Sequence, residues 1–284
     1  MQYATVSDGS RKEAFKGAVG AKCPLCKTDV VPKTGRIKTP HWAHKTLDTC
    51  DRFSEPETKW HREWKNRFPE EWREVVIGNH RADISFNLNL KESGPQSPYV
   101  IEFQHSSISH EKICDRSRAY GGRLTWVVDA SSLAKRLEFT VEDKEDENDY
   151  KRGDLAQLAS CWDQSTKSIV GNGPNSVTVW WKYFSGAWNT PVKQRIYFDF
   201  PDNNVMFDLS SYFIGNKGRC YGQGDFLYRP DFLAYECGFY DSDGKVVGPL
   251  ITESGLDIKS RKSRNESRAS VWSGGWSDYY GDWD

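Results

Sequence analysis

Two short stretches, Arg81-Ala82-Asp83-Ile84 and Ile101-Glu102-Phe103-Gln104, decide how this chain is read. The first opens a run from Ala82 to Leu90 in which Ile84, Phe86, Leu88 and Leu90 recur every second residue, the period of a half-buried strand. The second lies in an apolar run from Tyr99 to Phe103. Strand side chains alternate between faces, so Glu102 and Gln104 share one. An Asp on one strand and a Glu-x-Gln on its neighbour bring two carboxylates and an amide to one end of a sheet. Converging carboxylates repel and call for a cation, and Mg²⁺ prefers such oxygen ligands while keeping waters for chemistry.

Working outward, Trp60, Trp64 and Phe68 recur at helical spacing between Glu55 and Phe68, and Pro69 stops the pattern. Glu57, His61 and Lys65 sit at i, i+4 and i+8 of the same segment, so a helix aligns them on a face beside the apolar stripe. Trp72 to Ile77 reads as a further strand, and Ser93 to Pro98 as a loop. Ser109 is placed to cap a helix running to Tyr120, ended by Gly121-Gly122, and Leu124 to Val128 reads as a buried strand. The order helix, three strands, helix, strand predicts a mixed α/β (α+β) fold with a central sheet flanked by helices.

Upstream, Cys23-Pro24-Leu25-Cys26 precedes His41-Trp42-Ala43-His44 and Cys50. Two thiolates two residues apart can hold one ion, and a tetrahedral zinc needs two more ligands. His41, His44 and Cys50 offer three candidates for two places; His44 with Cys50 is preferred because that pair makes a wider loop able to swing back, and His41 stands as the alternative. With four positions closed, such a zinc is structural. Seven cysteines without a recognisable secretory leader argue for thiols or metal ligands over disulfides.

At 284 residues the chain exceeds one ordinary domain. We divide it into a zinc-binding module (1–52), the core just described (53–135), an aromatic-rich α+β region (136–258) and a disordered tail (259–284). Within the third, Leu155 to Trp162 reads as helical, and Val177 to Phe184 and Arg195 to Phe200 as strands. Formal charge is −1 overall, yet residues 1–52 hold ten Lys/Arg against five Asp/Glu, a basic face able to neutralise phosphates. The run Glu142 to Glu147 is acidic, and Trp272, Trp276, Tyr279, Tyr280 and Trp283 give the tail the look of a peptide that docks on a protein partner. No apolar run approaches the ~18 residues of a membrane span, so a cytoplasmic protein is expected.

Taken in order, Cys23-Pro-x-Cys26, His41-Trp-Ala-His44, Cys50, Glu57-Thr-x-x-His61-x-x-x-Lys65, Arg81-Ala-Asp83-Ile, Ile-Glu102-Phe-Gln104-x-Ser106, Ile108-Ser109, Arg116 and Tyr120 resemble the competence-protein CoiA-like branch of the PD-(D/E)xK nuclease superfamily over residues 1 to 130. The resemblance implies a restriction-endonuclease-like αβββαβ core hydrolysing phosphodiester bonds of DNA, single- or double-stranded, with Asp83 and Glu102 binding Mg²⁺ or Mn²⁺. Ala82 stands where the superfamily has Pro, which leaves the carboxylate chemistry intact. Gln104 stands where it usually has Lys; an amide orients water but supplies no charge, and the resemblance assigns that charge to Lys65. It further implies proton transfer or phosphate contact by His61, ligation or His61 orientation by Glu57, and site-lining or backbone-gripping roles for Arg116 and Tyr120. A double-strand break from one site per chain favours a homodimer. The competing reading is a catalytically degenerate nuclease fold used to bind nucleic acid or protein. The joint presence of Asp83, Glu102, Gln104, His61 and Lys65 favours the enzyme.

Overall fold

The structure, a computed structural model, describes residues 1–46, 50–51, 57–86, 98–121, 124–142, 150–153, 162–163, 168–169, 177–182, 188, 195–203, 205–214, 219–233, 239–240 and 246–248. The segment 93–97, most of the acidic run, residues 155–161 of the helix expected at 155–162 and the tail 259–284 lie outside these residues; Trp162, the last residue of that expected helix, stands in a strand.

Strands β1 (Tyr3–Thr5), β2 (Arg11–Glu13), β3 (Val30–Lys33) and β4 (His41–His44) form two small antiparallel pairs, β1 with β2 and β3 with β4. They close over a core of Ala4, Ala21, Cys23, Val30 and Trp42. Next come helix α1 (Lys59–Lys65), strands β5 (Arg73–Ile77), β6 (His80–Phe86) and β7 (Tyr99–Gln104), helix α2 (His110–Tyr120) and strand β8 (Leu124–Asp129), the αβββαβ order expected from periodicity.

The remaining strands are β9 (Leu137–Glu142), β10 (Tyr150–Gly153), β11 (Trp162–Asp163), β12 (Ser168–Ile169), β13 (Val177–Lys182), β14 (Arg195–Phe200), β15 (Val205–Ile214) and β16 (Arg219–Tyr228). A short turn of helix α3 (Arg229–Phe232) and the pair β17 (Phe239–Tyr240) and β18 (Val246–Gly248) follow. Ten strands form one mixed sheet in the order β10-β9-β13-β16-β15-β14-β8-β7-β6-β5. Within it β7, β8 and β14 run parallel, and every other neighbouring pair is antiparallel. The aromatic strands of the C-terminal half therefore extend the sheet that carries Asp83 and Glu102.

Alternation along β7 and β8 separates the two faces. Val100, Trp126 and Val128 pack with Ile113 and Tyr120 of α2 on one, while Ile101, Phe103 and Val127 pack with Trp60 and Trp64 of α1 on the other. Thr58 caps α1 by accepting the His61 N–H, and Ser109 caps α2 by accepting that of Lys112. Helix α2 ends where Gly121 turns to φ +72°, a conformation open to glycine. Helix α1 is shorter than its apolar stripe, which continues through a turn so that Phe68 is still fully buried. No helix among the described residues is long and apolar enough to cross a membrane.

Candidate functional site: a carboxylate cluster beside a Cys/His centre

The ladder between β6 and β7 pairs Phe86 with Tyr99, Ser85 with Val100 and Ile84 with Ile101. One step further along this register Asp83 faces Glu102, and there side chains take over from the ladder. Asp83 Oδ2 accepts the Phe103 N–H at 3.0 Å, and Glu102 Oε1 accepts the Asp83 N–H at 3.3 Å. The two strands thus part at a fork whose tips are the two carboxylates. On the other side of β6, the pairs Arg73 with Ile84 and Val75 with Ala82 bracket Glu74 opposite Asp83. Glu74 has φ +48°, outside ordinary strand geometry, so three acidic residues lie in one row across β5, β6 and β7.

Helix α1 supplies the counter-charge. Lys65, 1% exposed at its side chain, places Nζ 2.8 Å from Glu57 Oε2, 3.0 Å from Glu74 Oε1 and 3.9 Å from Asp83 Oδ1. Burial opposes its charge, but the carboxylates of Glu74, Glu57 and Asp83 outweigh burial and raise its pKa. Burial likewise opposes ionisation of Glu57 and Glu74, and Lys65 reverses this and holds both below the usual carboxylate range. Glu57 precedes the cap of α1 and reaches Lys65 from outside the helix. The Glu57, His61 and Lys65 trio is therefore buried and engaged, not a solvated face.

Glu102 is the electrostatically frustrated member. Arg116 Nη1 lies 2.9 Å from its Oε2, yet burial, aided by the charge of Asp83, pushes its carboxyl up to about 8. Arg116 itself is buried and stacks over the Trp126 ring, so it is not solvated. Tyr120 is buried in the α2 core, where burial and neighbouring Glu102 push its phenol up. Gln104 is buried and donates Nε2 to the Ser106 carbonyl at 2.8 Å. His61 is engaged at both ring nitrogens, Nε2 against the Phe103 carbonyl at 3.0 Å and Nδ1 against Thr58 Oγ1 at 2.8 Å. Asp83, with 23% side-chain exposure, is the most open of these groups.

Glu74 was not singled out from sequence, because an isolated Glu in a β-like run looks like a solvent-facing residue. Its carboxylate accepts the backbone N–H groups of Gln2 at 2.7 Å and Tyr3 at 3.0 Å, so it also docks the N-terminal module on the core. Arg81 Nε stands 3.9 Å from the same carboxylate, and Asp51 accepts the Arg81 N–H at 3.2 Å.

In that module the ligand atoms of Cys23, Cys26, His44 and Cys50 all lie within 4.8 Å of one another. Cys23 Sγ is 3.5 Å from Cys50 Sγ, and Cys26 Sγ is 3.3 Å from His44 Nε2. A tetrahedral zinc–thiolate site needs ligand atoms roughly 3.8 Å apart, so the set can hold a metal such as zinc. His44 shares its strand face with buried Trp42 and looks into the module core. His41 points away, with Nδ1 against the Thr39 carbonyl at 2.8 Å. Burial disfavours the Cys26 thiolate, but Thr28, Cys50 and His44 outweigh it and bring the thiol down to about 6. Cys50 is pushed up to about 12 by burial and by its thiol neighbours, the frustration a dication relieves. Among the described residues Cys23, Cys26, Cys50 and Cys114 are free thiols.

A carboxylate fork at one end of the sheet, joined to a Cys/His module, is the candidate site, and the domain that carries it is similar to nuclease-like domains. Residues 74–163 match the family model of the nuclease-like domain of competence protein CoiA, and residues 12–53 match that of its N-terminal domain. Over these two segments the chain is similar to the two domains of that competence protein family, in the order module then nuclease-like core. No curated protein and no solved structure matches it significantly. Asp83, Glu102, Gln104, Arg116 and Tyr120 fall inside the nuclease-like match, whereas Glu57, His61 and Lys65 lie between the two matched segments.

Proposed function

We propose that this protein is a metal-dependent endonuclease of the PD-(D/E)xK type that hydrolyses phosphodiester bonds of DNA in the cytoplasm. The observation that carries the reading is the fork itself. Asp83 and Glu102 meet where two strands part, and burial, aided by the charge of Asp83, holds Glu102 up to about 8 despite the Arg116 guanidinium at 2.9 Å. The fit to a dication rests on that frustration. Asp83 and Glu102 would hold Mg²⁺ or Mn²⁺, which would supply Lewis-acid stabilisation of the attacked phosphate and acidify a bound water.

The chain's own groups do the rest. Gln104 orients the attacking water, and Arg116 fixes the Glu102 carboxylate. Lys65 holds Glu57 and Glu74 in place beside Asp83 and sets the local charge. The Cys23, Cys26, His44 and Cys50 centre binds zinc structurally, keeping the module ordered so that its basic face meets the DNA backbone and its first strand stays seated on Glu74. We place a second copy of the chain or a protein docked on the aromatic tail among its partners.

The test is cleavage of linear, circular and single-stranded DNA and of RNA with Mg²⁺ or Mn²⁺, beside Asp83→Ala and Glu102→Ala. Metal-dependent cutting lost in both variants is the expected result. Absence of cutting by a folded, zinc-loaded protein sinks the enzyme and favours the binding module. One feature speaks for that second reading: Lys65 is buried in ion pairs instead of lying open to a phosphate.

A further inference from the structure

The hairpin of β3 and β4 carries a feature that the carboxylate fork does not use. Its ladder pairs Val30 with His44, Val31 with Ala43, Pro32 with Trp42 and Lys33 with His41, and the chain between the two arms is Thr34-Gly35-Arg36-Ile37-Lys38-Thr39-Pro40. The base is held by His44, one of the four residues of the Cys/His set, and by Trp42, buried in the module core. The returning arm is tied down as well: the Pro40 carbonyl accepts from Arg62 Nη2 of α1 at 2.6 Å, and the Thr39 carbonyl meets His41 Nδ1 at 2.8 Å. The loop thus leaves a fixed base, and at its midpoint Ile37 is 98% exposed, the most open large apolar side chain among the described residues.

A single exposed aliphatic is ordinary on a protein surface. The setting of this one is not. Arg36 and Lys38 flank it and Lys33 ends the outgoing strand; all three are exposed, and none has an ion-pair partner among the described residues. From Val30 to Lys45 the chain holds no Asp or Glu, and Lys45 finds its carboxylate in Asp29, outside that stretch, at 3.5 Å. An apolar side chain held out between unpaired cations complements a surface that is anionic outside and apolar within. Duplex DNA is one: phosphates wall the minor groove and stacked bases lie behind them. The α-carbons of Arg36 and Lys38 are at most about 7 Å apart, close to the roughly 6 Å width of that groove, so the two long side chains can reach phosphates on opposite walls with Ile37 between them. A bilayer is also anionic outside and apolar within, but one isoleucine buries too little to anchor there, whereas a wedge into a base step is a single side chain.

We propose that Ile37 is a DNA wedge: the hairpin tip enters the minor groove of a duplex, Arg36 and Lys38 grip its phosphates, and Ile37 unstacks one base step and kinks the helix. The role rests on the reading of the N-terminal module as the part that meets the DNA backbone. The kink costs stacking and is offset by the additional backbone that a bent duplex brings to the basic module.

The experiment uses the full-length, zinc-loaded protein without added Mg²⁺ or Mn²⁺ and a duplex with 2-aminopurine in a central TA step, a step that unstacks readily. Affinity is followed by anisotropy across a salt series, and unstacking by 2-aminopurine fluorescence. A fluorescence rise on binding is expected. Ile37→Ser should lose the rise and bind about ten- to a hundredfold more weakly, with salt slope, zinc content and Tm unchanged because the side chain packs against nothing in the protein. Arg36→Gln and Lys38→Gln should each flatten the slope of log affinity against log salt by about 0.9. Val19→Ser removes an apolar side chain 82% exposed in the same module but set between Ala18 and Gly20, and should change neither readout. Native-strength binding by Ile37→Ser with the rise retained, or binding by the native protein without a rise, overturns the wedge and leaves the module's DNA contact standing. Absence of duplex binding removes both. Vesicles of phosphatidylcholine and phosphatidylglycerol form the second arm, and Ile37-dependent binding to them in place of the duplex overturns the proposal in favour of a membrane surface. Cleavage is scored separately after Mg²⁺ is added, so a wedge without cutting speaks against the nuclease alone.

Discussion

Replacing Lys65 with Met removes an ammonium that is 1% exposed and holds two buried carboxylates at 2.8 and 3.0 Å. Taking one partner from a buried pair costs about 3–5 kcal/mol, because the charge left behind is uncompensated. Part of the neighbourhood survives: Arg62 Nε remains 3.4 Å from Glu57, and Glu74 keeps two backbone donors. We therefore expect Lys65→Met to lose roughly 3 to 5 kcal/mol of unfolding free energy at pH 7.5. The pH dependence has a definite sign. In the native protein Lys65 holds Glu57 and Glu74 below the ordinary carboxylate range against burial, so its stabilisation is present above the unfolded carboxylate pKa of about 4.5 and fades as pH falls through the lower folded values. Urea unfolding at pH 7.5 and below 4 should show the gap between native and variant shrinking in acid. A triple variant, Lys65→Met with Glu57→Gln and Glu74→Gln, should recover most of the loss, since no orphaned charge remains. A gap under about 1 kcal/mol at pH 7.5, or one that does not narrow in acid, refutes the ion-pair argument. The same cost means that loss of cleavage in a Lys65 variant counts as chemistry only after its folding has been measured.

Other perturbations probe separate parts of the molecule. Cys26→Ser should hold clearly less than one zinc per chain by elemental analysis and melt roughly 5 °C lower or more, given that about 1 kcal/mol moves Tm by about 2–4 °C at this size; unchanged zinc content contradicts the four-ligand centre. Glu102, held up to about 8, stabilises the metal-free protein below its unfolded value near 4.5 and loses that contribution as pH rises through 8. Mn²⁺ affinity should accordingly rise by up to about tenfold per pH unit below 8, and calorimetry showing a flat affinity from pH 6 to 8 would count against Glu102 as a ligand. Asp199 accepts from Trp60 at 2.7 Å, Trp64 at 2.8 Å and Arg229 at 2.7 Å while fully buried, so Asp199→Asn should destabilise by about 3–5 kcal/mol. A melting curve like that of the native protein would show that this tie between α1 and β14 is incidental.

What the sequence determined by itself was whatever depends on near neighbours. The period-2 run from Ala82, the apolar run from Tyr99 and the Ser109 and Gly121 caps specify elements through local steric and hydrogen-bonding rules, and these elements stand where expected. The CPxC knuckle and its downstream His and Cys were legible because ligand chemistry demands those residue types, and strand alternation around Trp42 could also have chosen His44 over His41. Contacts distant in sequence were decided by the tertiary structure alone. That Glu74 ends in one row with Asp83 and Glu102 follows from registers between three strands and an unusual φ. That the strands after residue 136 continue the same sheet, with Asp199 of β14 reaching the two tryptophans of α1, has no local signature. Nor does the pairing of His105 with Asp129, which the parallel alignment of β7 and β8 imposes. Local propensities fix where each strand and helix begins. Which charged side chains must share a buried, low-dielectric space is set when the sheet assembles, and that sharing gives Lys65 and Glu102 their properties.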